Sequence, residues 1–310
     1  MLVIREGEPL TPLERTVVTV GVFDGVHRGH QHLLAEARAR ADEIDGPLVA
    51  VMFDRHPNTV VRPEAVKLLL SDLKQRLTWL EAAGVDLTYI LRFDEERSLE
   101  SPADFIGSVL VERLHAAVHV SGEDHHFGHR ASGDTALMAQ LSTQFDIKAS
   151  SVPMLRTPQG WVISSDLVRG LVVEGDVVGA AALLERPFEL HGVVEHGDHR
   201  GRALGFPTAN VAVAGDMALP RDGVYAGWYV RPGVGEFPAA INIGRRPTFY
   251  DENGLLLVEA HLLDFDDDLY GERPRVRFFQ RLRDEVRFDG LDSLIAQLNK
   301  DVQTTRELLM

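Results

Sequence analysis

The sequence has no cysteine among its 310 residues, which excludes disulfide bonds, thiolate nucleophiles and cysteine-ligated zinc. It also lacks any apolar run that is long enough to span a membrane. The first residues, MLVIREGEPL, carry acidic groups where a signal peptide needs a long apolar core. We therefore expect a cytoplasmic location and no membrane partner.

Two common nucleotide-binding motifs are missing as well. Neither GxxxxGK[ST] nor GxGxxG occurs in the sequence, which argues against a standard P-loop kinase and a dinucleotide-dependent dehydrogenase. Positive charge is scarce, since 32 Lys and Arg face 47 Asp and Glu and leave a net charge of −15. Such a field repels nucleic acid, so we expect no nucleic-acid partner. An anionic substrate such as ATP would need a local basic pocket or a metal ion.

The first half of the chain alternates apolar runs with helical periods. Strands are predicted at residues 16–23, 48–53, 85–91 and 117–121. Helices are predicted at residues 30–44, 71–83 and 102–114, with Ser71 or Asp72 as the cap of the second. This alternation predicts an α/β, Rossmann-like domain with a parallel sheet, in which ligands bind at the carboxyl ends of the strands.

From about Pro187 the helical periods give way to short runs rich in Val, Phe and Tyr. The runs span residues 188–195, 223–230, 239–243, 255–263 and 275–279. They predict a small antiparallel β-barrel, followed by a terminal helix at 291–309 that opens at Asp292 or Ser293. A helix at 175–184 would end the first domain. The predicted domains are therefore 1–185 and 186–310.

Residues 21–31, GVFDGVHRGHQ, lie between a predicted strand and a predicted helix. Gly25 and Gly29 permit a tight turn and a close backbone approach. The helix N-terminus would attract a triphosphate, and His27 and His30 could donate hydrogen bonds to phosphate oxygens as pyrophosphate leaves. The alternative is a glycine-rich turn with two capping histidines.

This string carries a family resemblance. Its HxGH resembles the signature of the α/β-phosphodiesterase-like nucleotidyltransferases, and FDGVHRGHQ is similar to the FAD synthetase domain of bacterial bifunctional riboflavin kinase/FAD synthetases. The segments FDRHP, GEDHHFGHRASG and ISSDLVR follow in the family's order. The resemblance implies His27 and His30 as catalytic residues. The nucleotide-binding residues that it implies in this domain are Gly21, Phe23, Asp24, Gly25, Gly29, Asp124, Ser164, Ser165 and Arg169.

Two positions depart from the family pattern. His125 replaces an aromatic residue, and Asp166 replaces the Thr of ISSTxIR. Asp166 would repel a phosphate unless Arg169 or a metal neutralised it, or it could cap a helix and face away. The histidines around His125 suggest a metal site, but a polar loop that lines the nucleotide pocket is the better interpretation.

Residues 197–210, GDHRGRALGFPTAN, form the second motif. The hydroxyl of Thr208 and the amide oxygen of Asn210 suit Mg²⁺, which also takes water and phosphate ligands. By itself the string fits a basic surface loop that leads into a strand. Its whole length resembles the riboflavin kinase motif that ends in PTAN. The resemblance implies Gly197, Arg202 and Gly205 as nucleotide-binding residues.

The kinase resemblance continues through NIGRRPT at residues 242–248 and VEAHLLDFDDDLYG at 258–271. It implies that Glu259 is the general base for the 5′-hydroxyl of riboflavin. Taken alone, Glu259 could be a solvent-facing residue of a barrel strand. The later segment RLRDEVRF implies that Arg281 and Arg283 bind the flavin.

The resembled family phosphorylates riboflavin to FMN with ATP and Mg²⁺, and then adenylylates FMN to FAD with release of pyrophosphate. Its small-molecule partners are riboflavin, FMN and ATP, with FMN and FAD as products. The sequence leaves self-association open. Three alternatives remain: a kinase with a weak or silent adenylyltransferase, another HxGH enzyme such as a cytidylyltransferase, and a non-catalytic flavin or nucleotide sensor.

Overall fold

The computed structural model describes residues 1–197, 201, 204–244 and 256–310. They form two compact units: residues 1–67 with 73–165 form the first, and residues 68–72 with 166–310 form the second. This division falls earlier in the chain than the boundary predicted at 185/186, which stays a prediction. Arg202 and residues 245–248 of the NIGRRPT motif lie outside the described residues.

The first unit is built on a six-stranded parallel sheet. Its strands are β1 (Leu2–Arg5), β2 (Thr16–Val20), β3 (Leu48–Phe53), β4 (Leu87–Leu91), β5 (Ala116–Gly122) and β6 (Lys148–Val152), in the order β1-β4-β3-β2-β5-β6. The parallel α/β prediction is confirmed. The sequence interpretation found the four inner strands and missed β1 and β6, which form the two edges.

The sheet is buried on both faces, as apolar strands of this kind require. Successive side chains of a strand point to opposite faces. Val17 and Ala50 accordingly belong to one core, whereas Val18 and Val49 belong to the other. All five residues of the central strand β2 are buried. The carboxyl end of β2 therefore leads out of the most rigid part of the unit.

The helices of this half lie in the crossovers between the strands, apart from the last two, which follow the last strand, β6. They are α1 (Arg28–Glu43), α2 (Asn58–Val61), α3 (Leu73–Ala82), α4 (Glu95–Ser98), α5 (Pro102–Phe105), α6 (Thr135–Phe145), α7 (Ser165–Glu174) and α8 (Val177–Leu184). The helix predicted at 102–114 is α-helical only to Phe105 and continues as a π-helix over Ile106–Arg113. The sequence interpretation missed α6, although Asp134 caps it.

The second unit contains a closed antiparallel barrel of six strands. They are β7 (Phe188–Glu195), β8 (Ala209–Val213), β9 (Gly223–Arg231), β10 (Gly235–Ile243), β11 (Leu256–Leu262) and β12 (Arg275–Arg283), in the order β10-β11-β8-β7-β12-β9. The barrel prediction is confirmed. The predicted strand runs left out β8, whose short sequence ANVAV begins within the PTAN motif.

The chain closes with the terminal helix α9 (Leu291–Leu309). Its N-cap residue is Gly290, so the prediction of Asp292 or Ser293 as the opening residue was wrong by a few positions. The hydroxyl of Ser293 instead donates to the Gly290 carbonyl at 2.8 Å. Across the residues that the structure describes, no helix is both long enough and apolar enough to cross a bilayer.

Residues 166–185 belong to the second unit, and α8 packs on the barrel strands β7 and β12. Its buried side chains include Leu183 and Leu184. Burial of one leucine side chain contributes about 1.5–3 kcal/mol to stability. The helix is therefore a structural part of the unit that carries the barrel.

We predict that a fragment of residues 186–310 folds but is less stable, by several kcal/mol, than a fragment of residues 166–310. The physical reason is the loss of the apolar face of α8 (Val177–Leu184) from the barrel. Urea unfolding of the two fragments measures the difference. Equal unfolding midpoints would show that the helix adds nothing to the barrel.

Candidate active sites

The turn after β2 has an unusual backbone. Phe23 has a φ of 51°, in the left-handed region, although it is a fully buried aromatic residue. Gly25 has a φ of 75°, which glycine adopts at no steric cost. Such strain persists only where the surrounding structure imposes it, and it is frequent at functional sites. The turn ends where His27 caps the N-terminus of α1.

His27 and His30 lie against each other at this helix start. Their rings stack with centroids 3.8 Å apart, and the edge of Phe23 approaches His30 with centroids 5.3 Å apart. His27 Nδ1 accepts a hydrogen bond from the His30 amide at 3.4 Å. A side-chain carbon on Gly29 would lie 2.7 Å from the Ile163 carbonyl oxygen, so only glycine fits there. His27 is thus both a capping residue and a pocket residue.

These residues border a pocket of about 270 Å³ in the first unit. Eight of the predicted residues line it: Gly21, Phe23, His27, Gly29, His30, Asp124, Ser164 and Ser165. Apolar residues complete the wall, among them Leu33, Met154 and Leu155. The pocket therefore combines an apolar surface with the positive end of a helix, which suits a nucleotide with its phosphates.

Asp24 and Gly25 form the turn beside this pocket. The two motifs of the first unit are joined there, since the hydroxyl of Ser165 donates to the Asp24 carbonyl at 3.0 Å. Asp24 is 2% exposed. The ISSDLVR and HxGH segments, far apart in sequence, thus form one structure.

His125 replaces an aromatic residue and is packed as one. Its ring stacks on Phe127 at an interplanar angle of 14°, and the buried His119 lies on its other side with centroids 5.8 Å apart. Burial and the neighbouring His125 lower the pKa of His119 to about 3, and burial and His126 lower the pKa of His125 to about 4. Both imidazoles are therefore neutral near pH 7. Within the described part of the chain, no group of His, Asp and Glu could hold a metal ion, which disfavours the metal-site alternative.

Asp166 and Arg169 lie together in the second unit. Their side chains form an ion pair, and Arg169 Nε donates to the Leu68 carbonyl at 2.5 Å. Asp166 is in the first turn of α7, which begins one residue earlier, so it is not the capping residue itself. An acidic group in a first turn interacts favourably with the helix dipole. The charge of Asp166 is thus offset by Arg169.

A second pocket, of about 390 Å³, lies on the barrel. Its lining includes Gly201, Thr208 and Asn210, together with the acidic segment 266–268 and Tyr270. A side-chain carbon on Gly197 would lie 2.2 Å from Asn210 Nδ2, so a larger residue would displace the Asn210 amide. Thr208 and Asn210 thus line the same pocket.

Strand pairing places Glu259 beside Asn210. The two residues are direct partners in the β8–β11 ladder, and Glu259 pairs on its other side with Asn242 of β10. Direct partners share a face of the sheet, with their Cβ atoms about 4.5–5.5 Å apart. Asn210, Glu259 and Asn242 therefore form a row of half-buried polar side chains, opposite to the core residues that alternate with them.

The structure also shows the surroundings of Gly205, Arg281 and Arg283, which the sequence predicts as binding residues. Gly205 has a φ of 86° in the turn before the PTAN motif. Arg281 Nη2 donates to the Asp222 carbonyl at 2.7 Å and to Asp284 at 2.6 Å, and Arg283 pairs with Asp301. Their assignment as flavin-binding residues stays a prediction.

Sequence reasoning passed over two residues of this region. Asn242 opens the NIGRRPT motif, and its position in the row appears only from the strand register. Tyr270 lies near the end of the VEAHLLDFDDDLYG motif, and its ring stacks on His196 with centroids 3.9 Å apart. Both residues belong to quoted motifs, so the motif strings were the available signal.

Comparison with known families assigns each half of the chain. A family model described as FAD synthetase matches residues 11–167, and one described as riboflavin kinase matches residues 184–309. Relatives similar over nearly the whole chain carry the name bifunctional riboflavin kinase/FMN adenylyltransferase. The Pseudomonas fluorescens protein is 37% identical and covers 99% of this chain and 98% of its own. The Escherichia coli K12 protein is 35% identical, with 96% and 93% covered.

A solved structure resembles the whole fold. It is a Streptococcus pneumoniae protein described as a macrolide-efflux protein, which is 30% identical and covers 99% of both chains with a TM-score of 0.88. The efflux description is a statement about that protein alone. The likeness shows that the same arrangement of elements occurs in another chain of this length.

We predict that the buried His119 makes the first unit sensitive to mild acid. Its pKa is lowered from 6.5 to about 3 in the folded protein, so the unfolded chain binds more protons below pH 6.5. The stability that the neutral ring provides is therefore present above pH 6.5 and is lost as the pH falls toward the folded pKa. When the pH falls from 7.5 to 5, the free energy of unfolding of the parent should decrease by about 1–2 kcal/mol more than that of His119→Gln. Urea unfolding at the two pH values measures this difference. The exposed His126, replaced by Gln, is the control, and a parental pH dependence in His119→Gln would refute the prediction.

Proposed function

The chain belongs to the bifunctional riboflavin kinase/FMN adenylyltransferase family, and we propose that the barrel pocket carries the kinase reaction and the HxGH pocket the adenylyl transfer. The protein is a transferase of flavin-cofactor synthesis. The single observation that best supports the kinase assignment is the lateral pairing of Asn210 with Glu259. Asn210, as a ligand for Mg²⁺, and Glu259, as the base, would then be neighbours on one face of the barrel sheet.

In the kinase step, the carboxylate of Glu259 accepts the proton of the ribityl 5′-hydroxyl as that oxygen attacks the γ-phosphorus of ATP. The bond between the γ-phosphorus and the bridging oxygen breaks, and ADP leaves. Thr208 and Asn210 fit Mg²⁺, because a hydroxyl and an amide oxygen are hard ligands and both line the pocket. When bound, Mg²⁺ neutralises phosphate charge. The neighbouring strands supply positioning, which is the main requirement of phosphoryl transfer.

In the adenylyl transfer, an FMN phosphate oxygen attacks the α-phosphorus of ATP and pyrophosphate leaves. The phosphates are bound at the N-terminus of α1, where backbone amides and the helix dipole favour negative charge. His27 and His30 donate hydrogen bonds to the phosphate oxygens as charge develops on the leaving group. Their stacked rings lie at that helix start, next to the apolar wall that receives the base.

The alternative of a silent adenylyltransferase depends on the charge of Asp166. An unpaired carboxylate about 4 Å from a phosphate would cost roughly 4 kcal/mol at an effective dielectric constant near 20. The ion pair with Arg169 offsets that cost. His125 also keeps the packing role of the aromatic residue that it replaces, since its ring stacks on Phe127. Both departures are therefore compatible with an active domain.

We predict that Glu259→Gln reduces FMN formation by about 10²–10⁴-fold, because the amide cannot accept the proton. The measurement is chromatography of riboflavin, FMN and FAD after incubation with riboflavin, ATP and Mg²⁺. Adenylylation of supplied FMN is the internal control and should stay at the parental rate. FMN formation within tenfold of the parent would remove Glu259 from its role as base.

For the adenylyltransferase, we predict that the parent makes FAD from supplied FMN and ATP, that His30→Ala abolishes this, and that Asp166→Thr speeds it modestly. The reason for the last effect is that the substitution removes a negative charge, so the positive charge of Arg169 is no longer neutralised by a carboxylate partner. His32→Ala, a half-buried histidine of the same helix, is the matched control. If the parent makes no FAD and Asp166→Thr restores it, the chain is a kinase with a disabled partner domain. If neither makes FAD, the bifunctional proposal is wrong.

A further inference from the structure

The connection between β12 and α9 is held by two arginine–aspartate pairs. We call residues 284–290 the β12–α9 loop. At its start, Arg281 Nη2 donates to Asp284 Oδ1 at 2.6 Å. Across its ends, Arg283 donates from Nε to Asp301 Oδ1 at 3.0 Å and from Nη2 to Asp301 Oδ2 at 2.7 Å. Since Asp301 belongs to α9, this second pair joins the strand before the loop to the helix after it.

Asp301 is a buried charge with a complete set of donors. The residue is only 4% exposed, and Gln297 Nε2 donates to its Oδ1 at 2.8 Å in addition to the Arg283 contacts. A buried carboxylate persists only when it is paired and hydrogen-bonded. The position of Arg283 and the position of α9 therefore depend on each other.

Arg283 is committed to acceptors within the protein. Its third nitrogen, Nη1, donates to the Asp284 carbonyl at 2.9 Å, and its guanidinium carbon lies 6.0 Å from the centre of the Phe288 ring. Asp284 and Phe288 are both in the β12–α9 loop. Asp301 fixes Arg283, and Arg283 in turn holds the loop at two points. All three of its guanidinium nitrogens donate to acceptors within the protein.

The loop lies beside the polar row that contains Glu259. A side-chain carbon on Gly244 would lie 2.3 Å from Glu285 Oε1, so the Glu285 carboxylate lies directly on the Gly244 backbone. Gly244 comes two residues after Asn242, the strand partner of Glu259. On the other side of Glu259 is Asn210, where the nucleotide and its metal bind in the proposed function. The acceptor alcohol must therefore approach Glu259 from the side of Asn242 and the loop.

We propose that Asp301 is a positioning residue for the flavin acceptor: it orients Arg283, and through Arg283 it holds the β12–α9 loop as the wall of the acceptor side. The inference rests on the proposed kinase function. Arg283 then acts on the acceptor side indirectly, because it holds the β12–α9 loop in place. Loss of the pair should loosen the acceptor side and leave the nucleotide side, with Thr208 and Asn210, unchanged.

The test compares Asp301→Asn, Asp301→Ala and Arg283→Lys with the parent in the full-length protein. Asp301→Asn preserves the size of the side chain and one acceptor oxygen, and so serves where Asp301→Ala fails to fold. Arg306→Gln is the matched control, because it removes the exposed ion pair of the same helix with Asp264. The measurements are kcat and the KM values for riboflavin and for ATP in FMN formation. Quenching of riboflavin fluorescence gives the binding constant without turnover.

The expected result is a rise of about tenfold in the KM and the Kd for riboflavin in Asp301→Asn, with the KM for ATP within twofold of the parent. Adenylylation of supplied FMN and the kinetics of Arg306→Gln should stay parental. Three results would overturn the inference: a parental KM for riboflavin in folded Asp301→Asn, an equal rise in both KM values, or the same rise in Arg306→Gln. A parent that makes no FMN would overturn the proposed kinase function itself, and the inference with it.

Discussion

The pairing of β8 with β11 and of β11 with β10 is the constraint on which the kinase site depends. It aligns Asn210, Glu259 and Asn242 across three strands. Because side chains alternate between faces, a slip by one residue would turn Glu259 into the barrel core and bring Val258 out. The apolar residues that alternate with the polar row, such as Val211 and Ala260, are buried and prevent that slip. The same alternation that stabilises the barrel therefore positions the polar row.

The first unit uses a different device, a strained turn at the carboxyl end of its central strand. Phe23 occupies the left-handed region in the core, and the turn ends in the stacked His27–His30 pair. Close contacts hold this geometry, including the Ser165 hydroxyl on the Asp24 carbonyl. The cost of the strained backbone, roughly 1–2 kcal/mol for a non-glycine residue, is met by burial of the Phe23 ring. The turn thus holds the N-terminus of α1 and the two histidines together at the pocket.

Charge pairing reconciles an acidic chain with anionic substrates. The net charge is −15, yet two acidic residues beside the functional elements are paired with arginines. Asp166 pairs with Arg169, and Asp301 pairs with Arg283. In the barrel wall, burial alone would raise the pKa of Glu189, but hydrogen bonds from His191 and Arg277 and the charges of Arg275 and Arg277 lower it to about 2. Among the described residues, these arginines therefore have structural partners within the protein.

The fold class, the two-part organisation and the residues of the HxGH and PTAN motifs could all be read from the sequence, because apolar periodicity and long ordered strings are local properties. The sequence interpretation missed the edge strands β1 and β6. It predicted the bounds of α9 correctly but not its cap, because Gly290 lacks the polar side chain expected of a capping residue. Only the tertiary structure decided which distant residues meet. The register that brings Asn242 beside Glu259 and the burial of Asp301 against Arg283 join residues that are well separated in the chain. Such contacts depend on strand pairing and on core packing, which the spacing of residues along a chain does not encode.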